Sequence, residues 1–356
     1  MLETSSSATQ WVILGRALVF PFMEHRRGEP DYLPTADKER FRQDLIKEIE
    51  KRGPNYSRQD IWYLRYYHQP YMSTFTAEQF NSRWVDIQDN LTKLSSDLKI
   101  SPADARKESI WIERFTDLIA ESQFRGGVPS SLDRGILAEQ FANNTSAKIK
   151  HIDLNLWEKN YVFKFGQKKY NQQALHQGKI RFVRSGRYSA NDMNKAQQDD
   201  ENLFTFSVMP AFLKDLDGMS GLTSFDKSAL ENGIQVEFSS QSDYLVWCAA
   251  ASYDPRLPYA FKADSVLIIK DRQRFEKDVR AALLDYNEKY YVRTSQIKYL
   301  DPYIDLTTKL DVPFTKHFRF SYQNEYRIVA EGAAIPEELF IDIPNLKNYA
   351  ELIDLK

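Results

Sequence analysis

The stretch that decides the fold of the C-terminal half is Phe318-Arg319-Phe320-Ser321-Tyr322-Gln323-Asn324-Glu325-Tyr326-Arg327-Ile328-Val329. Its aromatic and apolar residues alternate with polar ones, a period that predicts a half-buried β-strand. Side chains two positions apart lie on one face of a strand, about 6.6–6.8 Å from each other. We therefore expect Gln323, Glu325 and Arg327 to form a polar row over an aromatic back. The solvent-facing side of an ordinary antiparallel strand would give the same pattern, and that interpretation stays open.

The composition excludes several classes of protein. The chain has 356 residues, with 48 basic and 50 acidic ones, so its charge carries no signature of a general nucleic-acid binder or of binding to an anionic membrane. A single cysteine, Cys248, excludes an internal disulfide and fits a reducing compartment. The apolar run at 11–22 is too short and too polar to span a membrane. We expect a cytoplasmic protein with no membrane contact and, since its five histidines are scattered, no metal site.

The N-terminal part has the pattern of a helical domain, which we place at residues 1–150. A helix beginning near Thr35 should stop at Gly53-Pro54, where glycine and proline end helices. Ser57-x-x-Asp60 and Thr76-x-x-Gln79 have the spacing of helix starts. Ser101-Pro102 predicts the start of a fourth helix, with proline at its first position.

Residues 151–356 change character and predict a second domain of α+β type, built on a mixed, largely antiparallel sheet. Helices are expected at 167–177 and 275–286. Strands are expected at 161–165, 179–183, 203–208, 234–238, 244–248, 265–270, 296–299, 318–329 and 339–343.

Polar residues near the ends of these strands are the candidates for chemistry. Lys164 lies on the first strand and Arg181 on the next, Tyr188 follows in a loop, and Ser252 follows the strand that contains Cys248. Cys248 itself lies in an apolar strand, so nothing indicates a nucleophilic thiol. The acidic cluster Asp199-Asp200-Glu201 has no partner at metal-ligand spacing and predicts a solvated helix start.

The order of several short motifs carries a resemblance across 161–329. These motifs are FKFG, GKIRF, YxxxDMN, DYLVWC, FKADSVLII and KHFRFSYQNEYRIV. Their series resembles a bacterial family of unknown function, whose members often end in a Lys, an aromatic residue and [QE]-x-E-[YFW]-R. The order strand, short helix, glycine, strand, with a late [QE]-x-E strand, is also similar to the ADP-ribosyltransferase superfamily.

The resemblance implies cleavage of the bond between nicotinamide and ribose in NAD, through an oxocarbenium-like state as in glycoside hydrolysis. It implies that Glu325 stabilises the developing positive charge and that Gln323 orients the nucleophile. Lys164, Arg181, Tyr188 and Ser252 would then bind NAD. The chain departs from the superfamily in two places. Lysine replaces the usual Arg or His of the first strand, and the central Ser-Thr-Ser pattern is absent, with Ser239 and Ser240 as alternatives to Ser252.

We therefore expect an NAD-dependent ADP-ribosyltransferase-like enzyme that modifies a macromolecular target, either protein or nucleic acid. Such enzymes often act as toxins or in defence against phage, which implies an antitoxin or regulatory partner. Two other interpretations stay open. The first is a non-catalytic interaction or sensor module on the same fold. The second is a nuclease that would use Asp199-Asp200-Glu201 to hold a divalent ion.

Overall fold

The computed structural model describes residues 35–94, 100–103, 108–125, 127–128, 160–189, 200–217, 233–307 and 309–355. These residues form helices and mostly antiparallel sheets, so the fold class is α+β, as predicted. The α-helices are α1 Thr35–Glu50, α2 Arg58–His68, α3 Ala77–Leu91, α4 Ser109–Phe124, α5 Lys168–Gln177, α6 Pro210–Asp217, α7 Leu257–Ala260 and α8 Arg272–Tyr286.

The strands occupy nearly all the C-terminal segments in which they were expected. They are β1 Thr92–Leu94, β2 Ile100–Pro102, β3 Val162–Gly166, β4 Lys179–Arg184, β5 Leu203–Val208, β6 Ile234–Ser239, β7 Leu245–Ala250, β8 Ser265–Ile269, β9 Tyr291–Gln296, β10 Lys298–Leu300, β11 Thr315–His317, β12 Glu325–Glu331, β13 Glu338–Asp342 and β14 Ala350–Asp354. Strands β5 and β6 pair with each other, and β10 pairs with β11 in parallel.

The main sheet divides at β7. One edge of β7 pairs with β12 along its whole length, and β12 pairs in turn with β9. The other edge is shared, because β4 pairs at Leu245 and Val246 while β3 meets β7 only at Phe163 opposite Ala250. Beyond β4 lies β13, and beyond β3 lie β8 and β14. Because β3 and β4 follow the same edge of β7 and do not pair with each other, the sheet separates into two parts there.

Helix α8 packs its apolar side against the main sheet. On α8, Phe275, Val279 and Leu283 recur at helical spacing and are fully buried in the largest apolar cluster, as their alignment in the sequence predicts.

Strand β12 lies between two strands, and every residue from Glu325 to Ala330 is buried. The prediction of a half-buried strand is therefore wrong for this segment, since both of its faces are covered.

The segment before β12 also departs from the prediction. Residues Phe318–Gln323 form a 3₁₀ helix, and Asn324 has a φ of 39°, in the left-handed region. Nδ1 of His317 accepts a hydrogen bond from the Arg319 N–H at 3.1 Å, which stabilises the turn in place of a strand ladder. The strand begins only at Glu325, so Gln323 and Glu325 do not share a strand face.

The end of α3 is a second correction. In the sequence, apolar residues recur at helical spacing after Thr76 and predict a helix running to residue 98; they are Phe80, Trp84, Ile87, Leu91, Leu94 and Leu98. The helix ends at Leu91, and Ser101-Pro102 belongs to β2 instead of starting a helix. Nη1 of Arg256 donates to the carbonyls of Asp89 and Thr92 at 2.7 and 3.1 Å, which satisfies carbonyl groups at the helix end. A contact this distant in sequence leaves no local signal.

The chain divides into two compact units. One comprises Met1–His68 with Thr116–Ser131, and the other comprises Gln69–Phe115 with Leu132–Lys356. The second unit thus combines α3 and the first turns of α4 with the sheets. The boundary that we predicted at residue 150 falls outside the described residues. In the described part of the chain, every helix is too short or too polar to cross a bilayer.

Candidate functional site

A cavity of about 60 Å³ lies beside the pair through which β3 joins β7. It is lined by residues of β3, β7, β11 and β12 together with neighbouring loops. These residues are Phe163, Lys164, Phe165, Glu201, Cys248, Ala249, Ala250, Phe261, Lys316, Gln323 and Glu325. Aromatic rings and charged groups therefore share one small space at the division of the sheet.

Four charged side chains form a closed ring at the cavity. Glu325 accepts from Nε of Arg327 at 2.7 Å and from Nζ of Lys316 at 3.1 Å. Glu201 lies 3.4 Å from the same Nζ and 2.5 Å from Nη2 of Arg327. We call these four residues the charge ring. Their side chains are between 0 and 7 % exposed, so the two carboxylates and two cations neutralise each other away from solvent.

Neighbouring groups hold the charge ring in place. Nη1 of Arg327 donates to the Pro313 carbonyl at 2.8 Å, and the Tyr299 hydroxyl accepts from the Glu325 N–H at 2.7 Å. The Tyr244 hydroxyl donates to the Glu201 carbonyl at 2.6 Å and anchors the loop that carries this carboxylate. The orientation of Glu325 is thus determined by side chains from several elements.

The charge ring sets the ionisation of Glu325. Burial by itself would raise the pKa of its carboxyl group, but Arg327 and Lys316 hold that pKa well below its usual value. Glu325 is therefore an anion at neutral pH. Burial raises the pKa of the Cys248 thiol, which keeps it protonated at neutral pH.

The structure brings together three of the residues selected from the sequence. Lys164, Gln323 and Glu325 all line the cavity, although Lys164 lies in β3 and the other two lie near the end of the chain. Nζ of Lys164 donates to the Cys248 carbonyl at 2.6 Å. Gln323 reaches the cavity from the last position of its 3₁₀ helix, where it is buried.

The other candidate residues lie elsewhere. Arg181 is exposed on β4, where it pairs with Glu338 at 3.4 Å and does not line the cavity. Ser252 does not line it either, and its Oγ accepts from Nδ2 of Asn324 at 2.7 Å. Ser239 is exposed at the end of β6. The side chain of Tyr188 lies outside the described residues.

Sequence reasoning did not group Arg327, Lys316 and Glu201 with Glu325 at one site. Arg327 was selected only as part of the polar row of a strand, and Lys316 appeared only as the first residue of the motif KHFRFSYQNEYRIV. Glu201 was expected in a solvated cluster, and this prediction is wrong because the residue is buried. Its partners are distant in sequence, and an acidic run gives no sign of them. Among the described residues, no group of histidine, cysteine or acidic side chains is arranged to hold a metal ion.

Comparisons of the chain with protein-family models, curated proteins and solved structures find no match.

Proposed function

We propose that this chain is an NAD-dependent ADP-ribosyltransferase-like enzyme that cleaves the bond between nicotinamide and ribose and modifies a macromolecular target. The fold type of that superfamily is part of the proposal. One observation supports it most: Lys164, Gln323 and Glu325, which the resemblance marks as binding and catalytic positions, line the same cavity. Lys164 comes from β3, whereas Gln323 and Glu325 come from one segment at the start of β12, so the meeting of Lys164 with the other two does not follow from proximity in sequence.

The size of the cavity limits which part of NAD it can hold. Ligand pockets for whole drug-sized molecules measure about 300–1,000 Å³, whereas this cavity measures about 60 Å³. That space corresponds to about four to six water molecules at about 10–15 Å³ each. The cavity therefore suits one ring-sized group, such as nicotinamide, and the rest of the dinucleotide would lie outside it.

The lining residues match the nicotinamide–ribose end. Phe165 and Phe261 offer apolar walls for a flat ring, and Glu325 offers an anion in a buried setting. In bound NAD the reacting bond would be the one between nicotinamide and ribose, and its cleavage leaves positive charge on the ribose.

Glu325 retains the capacity to act on that charge although it is already paired. An ionised carboxylate has about four lone-pair sites, and Arg327 and Lys316 occupy one on each oxygen. The remaining sites can accept a ribose hydroxyl. Gln323 adds a buried amide next to this carboxylate, which can orient an incoming acceptor group.

The test is release of nicotinamide from NAD by the full chain, followed by chromatography, together with transfer of labelled NAD to a cell lysate. We expect Glu325→Gln to lower the rate by about 10²–10³-fold, the range for loss of one electrostatic contact to a transition state. Glu338→Gln is the matched control, since it removes an exposed carboxylate that is also paired with an arginine. The proposal is wrong if the wild-type protein neither releases nicotinamide nor labels any macromolecule.

The second candidate is a non-catalytic sensor or interaction module on the same fold. The closed charge ring favours it, because every carboxylate in the cavity already has two cationic partners. Calorimetry with NAD and with nicotinamide separates the two functions, since a sensor would bind a ring-sized ligand without turnover. A role as a toxin or in phage defence, with a regulatory partner, depends on the acceptor that the labelling experiment identifies.

A further inference from the structure

We propose that Lys164 is a reactive amine that forms an imine with a small aldehyde or ketone admitted to the cavity. This inference goes beyond the proposed function, because it requires neither NAD nor the catalytic action of Glu325.

The first support is the setting of the Lys164 amine. Within the described part of the chain, Lys164 forms no ion pair, and its Nζ donates to the neutral Cys248 carbonyl. The same Nζ lies 5.4 Å from the centre of the Trp247 ring. These direct contacts are with uncharged groups, and a lysine without a carboxylate partner in a buried site is the usual environment of a Schiff-base amine.

Lys316 provides the contrast inside the same cavity. Its Nζ lies 3.1 Å from Glu325 and 3.4 Å from Glu201, so two carboxylates stabilise it as a cation. The cavity thus holds two lysines of opposite chemical character. One is fixed in an ionic network, and the other keeps an amine that can lose its proton.

The charge balance around Lys164 agrees with this contrast. Burial lowers the pKa of its amine and is the largest effect, and the field of Arg181 lowers it further, while the carboxylate of Glu325 acts in the opposite direction. A larger share of neutral amine at neutral pH means a larger share of available lone pairs.

The reaction balances without any other reagent. The amine lone pair attacks the carbonyl carbon, and a proton moves from nitrogen to oxygen to give a carbinolamine. The hydroxyl group then leaves with a further proton as water, and a carbon–nitrogen double bond forms. The cavity of about 60 Å³ limits the partner to a carbonyl compound of about ring size or smaller.

The experiment is reductive trapping of the full chain with glycolaldehyde and cyanoborohydride at neutral pH, with the alkylation rate of each lysine measured by peptide mass spectrometry. We expect Lys164 to react at least about tenfold faster than Lys316 and than the exposed lysines Lys179 and Lys262, because a neutral amine is the nucleophile. Equal or slower reaction at Lys164 overturns the proposal.

Two variants check the assignment. Lys164→Arg should remove the fast phase of alkylation, whereas Lys179→Arg, which changes an exposed lysine of β4, should leave it unchanged. If Lys164→Arg does not fold, the site-resolved rates of the wild-type protein still decide the question. Failure to cleave NAD would not affect these rates, so the two proposals can fail separately.

Discussion

Nε of Arg327 donates a hydrogen bond of 2.7 Å to Oε1 of Glu325, two positions earlier on the same strand face. Both residues are buried, and Arg327 is completely enclosed. The sequence of β12 has the pattern of a strand with one face in solvent, but in the structure its charged face is buried. The cost of enclosing these charges is offset only if each keeps its partners.

Arg327→Met should destabilise the protein strongly, because it leaves two buried carboxylates with Lys316 as their remaining cation from the charge ring. Breaking a buried ion pair from one side costs about 3–5 kcal/mol. Urea unfolding would measure the loss. Arg181→Met is the control, since its pair with Glu338 is exposed and should contribute at most about 1 kcal/mol. Equal losses for the two variants would contradict the charge ring.

Glu201→Gln and Lys316→Met should be strongly coupled. Each single change leaves the ring with an unbalanced charge, whereas the double change removes one charge of each sign. We expect the double variant to lose less stability than the sum of the single variants, with a coupling of about 1–3 kcal/mol. A coupling as small as that of the exposed pair Arg181 and Glu338 would show that Glu201 and Lys316 act independently.

The pH dependence of stability should reflect His317 and Asp86 with opposite signs. Burial, followed by the field of Arg319, lowers the pKa of His317 to about 3, and burial raises the pKa of Asp86 to about 6. Below its unfolded value of 6.5, His317 takes up a proton more readily in the unfolded chain, so its contribution to stability falls as the pH falls. Asp86 holds its proton in the folded state, so its contribution grows as the pH falls from 6 towards 3.8.

We compare the change in the free energy of unfolding when the pH falls from 7 to 5. His317→Asn should make this change less unfavourable than in the wild-type protein, by up to about 2 kcal/mol. Asp86→Asn should make it more unfavourable, by about 1 kcal/mol. Asparagine can still accept the hydrogen bond from the Arg319 N–H, which separates titration from loss of the turn. Denaturant midpoints at the two pH values are sufficient. A shift of the same sign in both variants would be inconsistent with these ionisation states.

Asn324 allows a test of the turn that precedes β12. Its φ of 39° lies in the left-handed region, which glycine adopts freely and β-branched residues avoid. Asn324→Val should destabilise the protein by about 1–3 kcal/mol through backbone strain. Asn324→Gly removes only the contact with Ser252 and should have a smaller effect. Thermal midpoints of the two variants measure the difference. If 318–329 were a continuous strand instead, valine would be tolerated better than glycine, and the order of the two midpoints would be reversed.

Several features of the fold were predictable because short-range contacts determine them. Thr76 and Gln79 form the reciprocal capping box that their spacing indicates, and Asp60 N–H donates to the Ser57 hydroxyl at the start of α2. Gly178 ends α5 with a φ of 70°, and an added Cβ would lie 2.3 Å from the Ile343 carbonyl oxygen. Such signals depend on neighbours within a few residues or on a backbone conformation that favours one residue type.

The candidate site was predictable only in part. Lys164 and Glu325 were selected from the order of motifs, and both line the cavity. Arg181 was selected on the same grounds and lies on the exposed face of β4. A motif indicates which residues are polar near a strand end, but it does not indicate which side of the divided sheet they face.

The sequence alone determined the α+β class, most helix and strand positions, and the presence of a carboxylate at residue 325. Tertiary structure alone decided that Phe318–Gln323 turns instead of extending, that both faces of β12 are covered, and that Glu201 and Lys316 complete a ring with Glu325 and Arg327. The reason is physical. Periodicity and capping express interactions between neighbours in the chain, whereas the partners of a buried charge come from any segment that the fold brings within a few ångströms.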